Sequence, residues 1–340
     1  MRIWAVATRI IKQFWYDKRT LGLIILAPML VLLLCSRILL EEPYSPRIAI
    51  VALPPQVSEL LAGRGVILEV YVHKDAAIQA VHREQVDAFL EIDGTQPVLV
   101  LEGSNPTASR AVLQHIHTAF RAGTDTPVSA QVSYLYGGEN MVLFDQVGPV
   151  LIGFLVFFFV FITSGVSFLR ERTNGTLERL LATPIKRWEL VLGYGLGFGV
   201  FTSLQAVTIS WFAVKVLNIL FVGRMTSLIL VTMLLAISAL TLGILLSAFA
   251  QNEFQIVQFI PVVIIPQFLF SGLFRLEDLP GGLRLLGSIM PIKYGANALR
   301  QIMLRGKSWP EIAYDASALI AFSLLFGILN VLALKKHRPV

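Results

Sequence analysis

The sequence predicts an α-helical polytopic membrane protein with six transmembrane helices and a small extracytoplasmic α/β domain inserted between the first two. Three observations carry that reading. Of the 340 residues, 55% are hydrophobic and only 15% charged, a balance outside that of ordinary soluble domains. Residues 147–169 and 190–214 are uncharged runs of 23 and 25 residues. At about 1.5 Å rise per residue, either run crosses a hydrocarbon core of about 30 Å as a helix. Between 41 and 146 the hydrophobic runs shorten to strand length and alternate with amphipathic helices, which is the pattern of an α/β unit.

The net charge of +6 does not call for nucleic acid as a partner. Eight of the Lys and Arg residues lie in 1–19 and 335–340, where membrane orientation signals are expected. The single cysteine, Cys35, excludes an intrachain disulfide and any cysteine-based metal spacing.

Residues 1–19, MRIWAVATRIIKQFWYDKR, lack the layout of a signal peptide. Trp4, Ile11, Phe14 and Trp15 interleave with Arg9, Lys12, Lys18 and Arg19 at helical spacing. The expectation is an interfacial helix on the inner leaflet, though a plain basic anchor would look similar. The first span, 20–40, contains Pro28. The basic residues before it place the N-terminus inside and domain 41–146 outside. In that domain 47–53, 66–73, 87–92 and 98–102 read as strands, and 74–85 and 106–121 as helices. His73, His82, His115 and His117 show no convergent metal-ligand spacing, and no pair of acidic residues reads as an acid/base couple.

The polar stretch 170–189, RERTNGTLERLLATPIKRWE, separates the two long apolar runs. Arg170, Arg172, Arg179, Lys186 and Arg187 mark it as cytoplasmic. Asn174-Gly175 is a turn signal and Pro184 cannot continue a helix, so one short helix is expected over 176–183. Leu177, Leu180 and Leu181 share one face of it. That stripe either lies on the protein's own helices and the headgroup layer or docks into a groove on a cytoplasmic partner.

Span three opens Gly193-Tyr194-Gly195-Leu196-Gly197-Phe198-Gly199, two overlapping small-xxx-small patterns that permit close helix approach, within one subunit or between two. Span four is 225–250, span five 254–274 with Pro261 and Pro266, and span six 316–334. The membrane domain thus covers 147–334, with a cytoplasmic tail at 335–340. One feature conflicts with this topology: the region 275–311 carries six Lys and Arg yet falls outside, where it would hold anionic headgroups or substrate. Arg305-Gly306-Lys307-Ser308 resembles the end of a phosphate loop. However, Gln301 stands where that pattern needs glycine, so it is read as chance. No ionisable residue lies mid-span, unlike ion-coupled transporters.

The segment ERTNGTLERLLATPIKRWELVLG resembles the cytoplasmic coupling loop of type-2 ABC exporter permeases. The family pattern is a Glu-Arg/Lys pair, then Gly-Thr-Leu-Glu, two apolar residues and Thr-Pro. Asp17 to Leu21 with Pro28 resembles the family's first span, and Leu101 to Pro106 a recurring strand-to-helix turn of its outer domain. Ser247 to Pro261, Ser271-Gly272, Leu279-Pro280 and Met290-Pro291 to Arg300 resemble its C-terminal signature, which implies short re-entrant helices within 275–311 that dip into the outer leaflet. The resemblance implies an exporter subunit in the inner membrane of a bacterium, not itself an enzyme. Its partners would be a cytoplasmic ABC ATPase, a second permease subunit and a periplasmic adaptor, within the lipid bilayer. ATP and Mg would act through the ATPase, with no cofactor on this chain. The ATPase-coupling residues would be Arg172, Gly175, Thr176, Leu177, Glu178, Arg179, Leu180, Leu181 and Pro184. Leu177, Leu180 and Leu181 would be docking knobs, Arg172, Glu178 and Arg179 would set charge register, and Pro184 would fix the helix angle. The path through the spans is apolar, with Thr163, Ser164, Thr202, Ser203, Gln205 and Thr208 along it. This suits a drug, an antibiotic or a lipid. The alternative is a membrane-anchored accessory or sensor whose outer domain binds a partner or ligand.

Overall fold

The computed structural model describes residues 2–38, 45–51, 66–93, 96–123, 131–134, 143–273 and 281–334. The basic tail at 335–340 lies outside them. The chain divides into two compact units, Met1–Arg37 with Val147–Val340, and Ile38–Gln146.

The smaller unit is a five-stranded sheet in the order β2-β1-β3-β4-β5, built from β1 (Arg47–Val51), β2 (Ile67–Val70), β3 (Ala88–Asp93), β4 (Gln96–Leu101) and β5 (Gln131–Tyr134). Only β3 and β4 pair antiparallel. Two-residue alternation distributes each strand between two cores. Ile48, Ile50, Leu90 and Leu99 pack with Val112 and Ile116 of the helix Pro106–Gly123. Ala49 and Phe89 face the other way, onto Ala77, Ala80 and Val81 of the helix Lys74–His82. The sheet is therefore covered on both faces, which is why its strands read as apolar runs.

In the larger unit we number the helices independently. They are α1 (Arg2–Tyr16), α2 (Lys18–Ile38), α3 (Leu143–Thr173), α4 (Thr176–Leu181), α5 (Arg187–Lys215), α6 (Met225–Ser247), α7 (Glu253–Phe259), α8 (Ile265–Leu269), α9 (Gly281–Ser288), α10 (Pro291–Arg305) and α11 (Trp309–Ala333). Among the described residues, α3, α5, α6 and α11 are long and apolar enough to cross a membrane. The stretches Ile24–Arg37 and Glu253–Leu269 are shorter apolar helices. In the second, Pro261 and Pro266 remove helical donors, and the chain runs as a π-helix over Ile260–Ile264 between α7 and α8.

Helix α10 is buried along most of its length and packs on α6 and α11. Its free N-terminal donor at Ile292 meets the Gln267 side chain at 3.1 Å, and Arg300 donates to the Gly272 carbonyl at 2.5 Å. The Arg300 charge within 275–311 is thus directed at the chain's own backbone. Gly306, at φ 63, ends α10, and Ser308 with Glu311 forms the capping box of α11. The stretch that resembles a phosphate loop is a joint between two helices.

Helix α1 packs along α5 through the glycine stripe. A Cβ on Gly193 would lie 2.7 Å from the Val6 Cβ, and one on Gly197 would lie 2.8 Å from the Ile10 Cβ, whereas Gly195 and Gly199 have nothing within 4 Å. One of the two overlapping patterns is a seam within the chain, and the other is open. Val6, Ala7, Ile10 and Phe14 form the buried face of α1, while Trp4 and Trp15 remain 65% and 69% exposed. Replacing Gly197 by Leu should displace α1 at a cost of about 1–3 kcal/mol, and Gly195→Leu should leave it docked. Cysteine accessibility of Ile10→Cys in detergent, rising only in the Gly197 variant, checks this.

Candidate functional site

The hairpin between α3 and α5 is built from the end of a long helix. Helix α3 has 31 residues, about 46 Å, and so extends beyond a hydrocarbon core at its polar end. Gly175, at φ 71, turns the chain in a backbone conformation that costs an L-residue about 1–2 kcal/mol. Helix α4 follows and closes when Thr183 returns its hydroxyl to the Leu180 carbonyl at 2.6 Å. Pro184 then separates it from Lys186, whose amide donates to Glu189 at 2.7 Å as α5 begins.

Arg170, Glu171 and Arg172 hold this hairpin. Successive helical residues point about 100° apart, so three adjacent side chains reach three different neighbours. Arg170 forms a forked pair with Glu253 of α7, at 2.6 and 3.3 Å, in an exposed setting. Glu171 is 7% exposed and accepts from Arg9 of α1 and from the Tyr194 hydroxyl of α5, the latter at 3.0 Å. Arg9 also donates to Tyr194 at 3.1 Å, and its guanidinium lies over that ring, 6.0 Å from the centroid. Arg172 donates to the Ser247 carbonyl at 3.0 Å, to Ala248 at 2.7 Å and to Ala250, completing the C-terminus of α6. Helix α1 is tied a second time, because Arg2 donates to the Pro184 carbonyl and lies 3.9 Å from Glu189.

These contacts and the exposure of the side chains place each residue singled out in the sequence. Leu177 is 1% exposed and buried within the chain, where it fastens α4 down. Leu180 and Leu181 are half-buried, which leaves part of each side chain outward. Arg172 is committed to the carbonyls at the end of α6. Glu178, Arg179 and Pro184 are exposed and Thr176 half-buried, so the outward surface of the hairpin is α4 and the turn after it. The residues missed from the sequence are Arg9, Glu171 and Tyr194. Their one signal was the Glu in the Glu-Arg pair before the Asn-Gly turn. Among the described residues, no group of three His, Cys, Asp or Glu side chains converges as a metal would need.

A bundle of long apolar helices with one polar hairpin clasped to it by charged ties defines a multi-pass membrane protein with a cross-braced polar hairpin. Residues 18–332 match the family described as ABC-2 family transporter protein, and the chain belongs to that family. It is 24% identical over 255 residues to "ABC transporter G family member 20" of Dictyostelium discoideum, covering 74% of this chain and 34% of that protein. It is 24% identical over 213 residues to "Probable multidrug ABC transporter permease YbhS" of Escherichia coli K12, covering 62% of this chain and 53% of YbhS. With "Probable multidrug ABC transporter permease YbhR" of the same strain it shares 27% identity over 186 residues, 54% of this chain and 48% of YbhR. The aligned part spans between about a third and a half of these relatives.

The buried tie and the exposed tie should differ in worth. Glu171→Gln leaves Arg9 without its counter-charge and should cost about 2–3 kcal/mol, reduced from a fully buried pair because Arg9 is partly exposed. Arg170→Gln should cost less than about 1 kcal/mol. Thermal unfolding in detergent, with Glu171→Gln the lower of the two, checks the ranking.

Proposed function

We propose that the chain is the membrane-spanning permease subunit of an ATP-driven exporter, powered by a separate cytoplasmic ATPase. The observation that carries this reading is an exposed short helix, α4, braced by three adjacent charged side chains and by α1. A helix that receives force needs a stiff mounting, and these ties spread a push on α4 to α1, α5, α6 and α7. Leu180 and Leu181 contact the ATPase with their outward parts, while Glu178 and Arg179 set register and Pro184 fixes the exit angle. The names of the bacterial relatives, multidrug permeases, support a lipophilic cargo.

In this reading Ile24–Arg37 and Glu253–Leu269 also cross the bilayer, making six spans with both described ends of the membrane unit in the cytoplasm. The α/β unit then lies outside, and 275–311 forms the re-entrant region. Two copies, or this chain and a related one, form the path between them in the inner membrane of a bacterium. A periplasmic adaptor completes the route, and ATP with Mg is bound by the ATPase.

Purifying the tagged chain from native membranes at native expression tests this. A stoichiometric ATPase should accompany it, and both Leu180→Asp and Arg179→Glu should reduce the co-purifying ATPase activity at least tenfold. Arg179 is exposed, so its variant reports docking even if Leu180→Asp disturbs folding. A clean preparation without ATPase, or unchanged activity in both variants, would overturn the reading in favour of an anchored sensor.

A further inference from the structure

Gln205 of α5 is the least accounted-for polar side chain in the membrane unit. It is 0% exposed, and both amide atoms, Nε2 and Oε1, are buried without a hydrogen-bond partner. Leaving an amide unpaired away from water costs about 1–3 kcal/mol, so proteins pair such groups or use them. Polar side chains between membrane helices ordinarily bond across the interface. Here the nearby hydroxyls are committed along their own helices, Ser164 to the Phe161 carbonyl at 3.1 Å and Thr202 to the Gly199 carbonyl at 3.1 Å.

Gln205 lines a cavity of about 10 Å³, together with Thr163, Thr202 and Ser164 and the apolar side chains of Phe14, Phe201 and Leu240. No residue in that wall is ionisable. Its depth follows from helix geometry. Gln205 lies eleven residues beyond Tyr194, about 16 Å, and Thr163 eight residues before Glu171, about 12 Å, so the cavity lies well into the apolar part of both helices. As packed, it has room for about one water molecule. One wall belongs to α1, whose Phe14 packs against Phe198 and Phe201 with ring centroids 5.3 and 5.0 Å apart. Helix α1 is the element that Arg2 and Arg9 tie to the hairpin.

We propose that the pocket around Gln205 binds the uncharged hydrogen-bonding group, an amide, hydroxyl or carbonyl, of a lipophilic molecule, and that displacement of Phe14 with α1 admits it. As packed the cavity exposes only apolar surface, so the displacement of Phe14 is also what brings the Gln205 amide, with its two donors and one acceptor, to the guest. A charged group is excluded because the wall offers it no counter-ion. That the bound molecule is the exported cargo rests on the exporter reading above, but the binding itself does not.

The test uses the full chain in phosphatidylcholine nanodiscs, without ATPase. The probes are N-dodecylacetamide carrying a diazirine on its chain and the matching diazirine-bearing hydrocarbon without the amide. After irradiation, labelled residues are mapped by mass spectrometry. The amide probe should label peptides containing Phe14, Phe198 and Phe201, and Gln205→Leu and the similarly sized Gln205→Met should each reduce that labelling about tenfold, the worth of one hydrogen bond outside water. Equal pocket labelling by the two probes, or labelling unchanged in either folded variant, would overturn the proposal. Loss of the ATPase partner in the purification above would leave this labelling intact, so the two failures are distinguishable.

Discussion

The Glu171 carboxylate is the contact on which the polar end of the membrane unit depends. It is a buried charge that only Arg9 and Tyr194 make tolerable. A carboxylate in such a place has no stable alternative, since removing either partner leaves it desolvated and unpaired. Three helices are thereby brought to one point: α1 through Arg9, α3 through Glu171 and α5 through Tyr194. Burial of the Tyr194 ring against Phe168, with centroids 4.9 Å apart, extends the same point into the apolar layer.

Around it the neighbouring ties have graded strength. Arg170 and Glu253 meet in water and hold α7 loosely, while Arg172 is partly buried and supplies the missing donors of the α6 C-terminus. The hairpin therefore has a stiff side toward α1, α5 and α6 and a compliant side toward α7, the helix that continues into the π segment. In the exporter proposed above, a push on α4 would pass along the stiff side first. The Gln205 pocket lies on that side, since α1 and α5 both line it.

The sequence was most legible where one physical effect dominates locally. The uncharged runs marked α3 and α5, and apolar runs of strand length marked β1, β3 and β4. β5, the four residues Gln131–Tyr134, escaped notice because so short a strand with two polar members has no periodic signal. Short helix α4 was legible from Asn174-Gly175 and Pro184, and its leucine stripe from spacing alone. Which leucine turns inward was not legible, because spacing gives a face and not its neighbour. The tie between Arg9 and Glu171 joins residues 162 positions apart, and such a contact leaves no trace in local pattern. The glycines of α5 showed that something approaches closely, but not that Gly193 and Gly197 receive α1 while Gly195 and Gly199 stay open.

The seam between α1 and α5 also constrains how the chain is made. Arg9 and Tyr194 are separated by 185 residues. At about 5–20 residues per second, α1 leaves the ribosome roughly ten to forty seconds before α5 exists to receive it. During that interval Val6, Ile10 and Phe14 have no protein partner. An amphipathic face flanked by the indoles of Trp4 and Trp15 is the pattern that a lipid headgroup layer accepts. The same side chains thus suit two environments, a bilayer surface and the glycine groove of α5. Docking of α1 at this seam therefore waits for the emergence of Gly193 and Gly197.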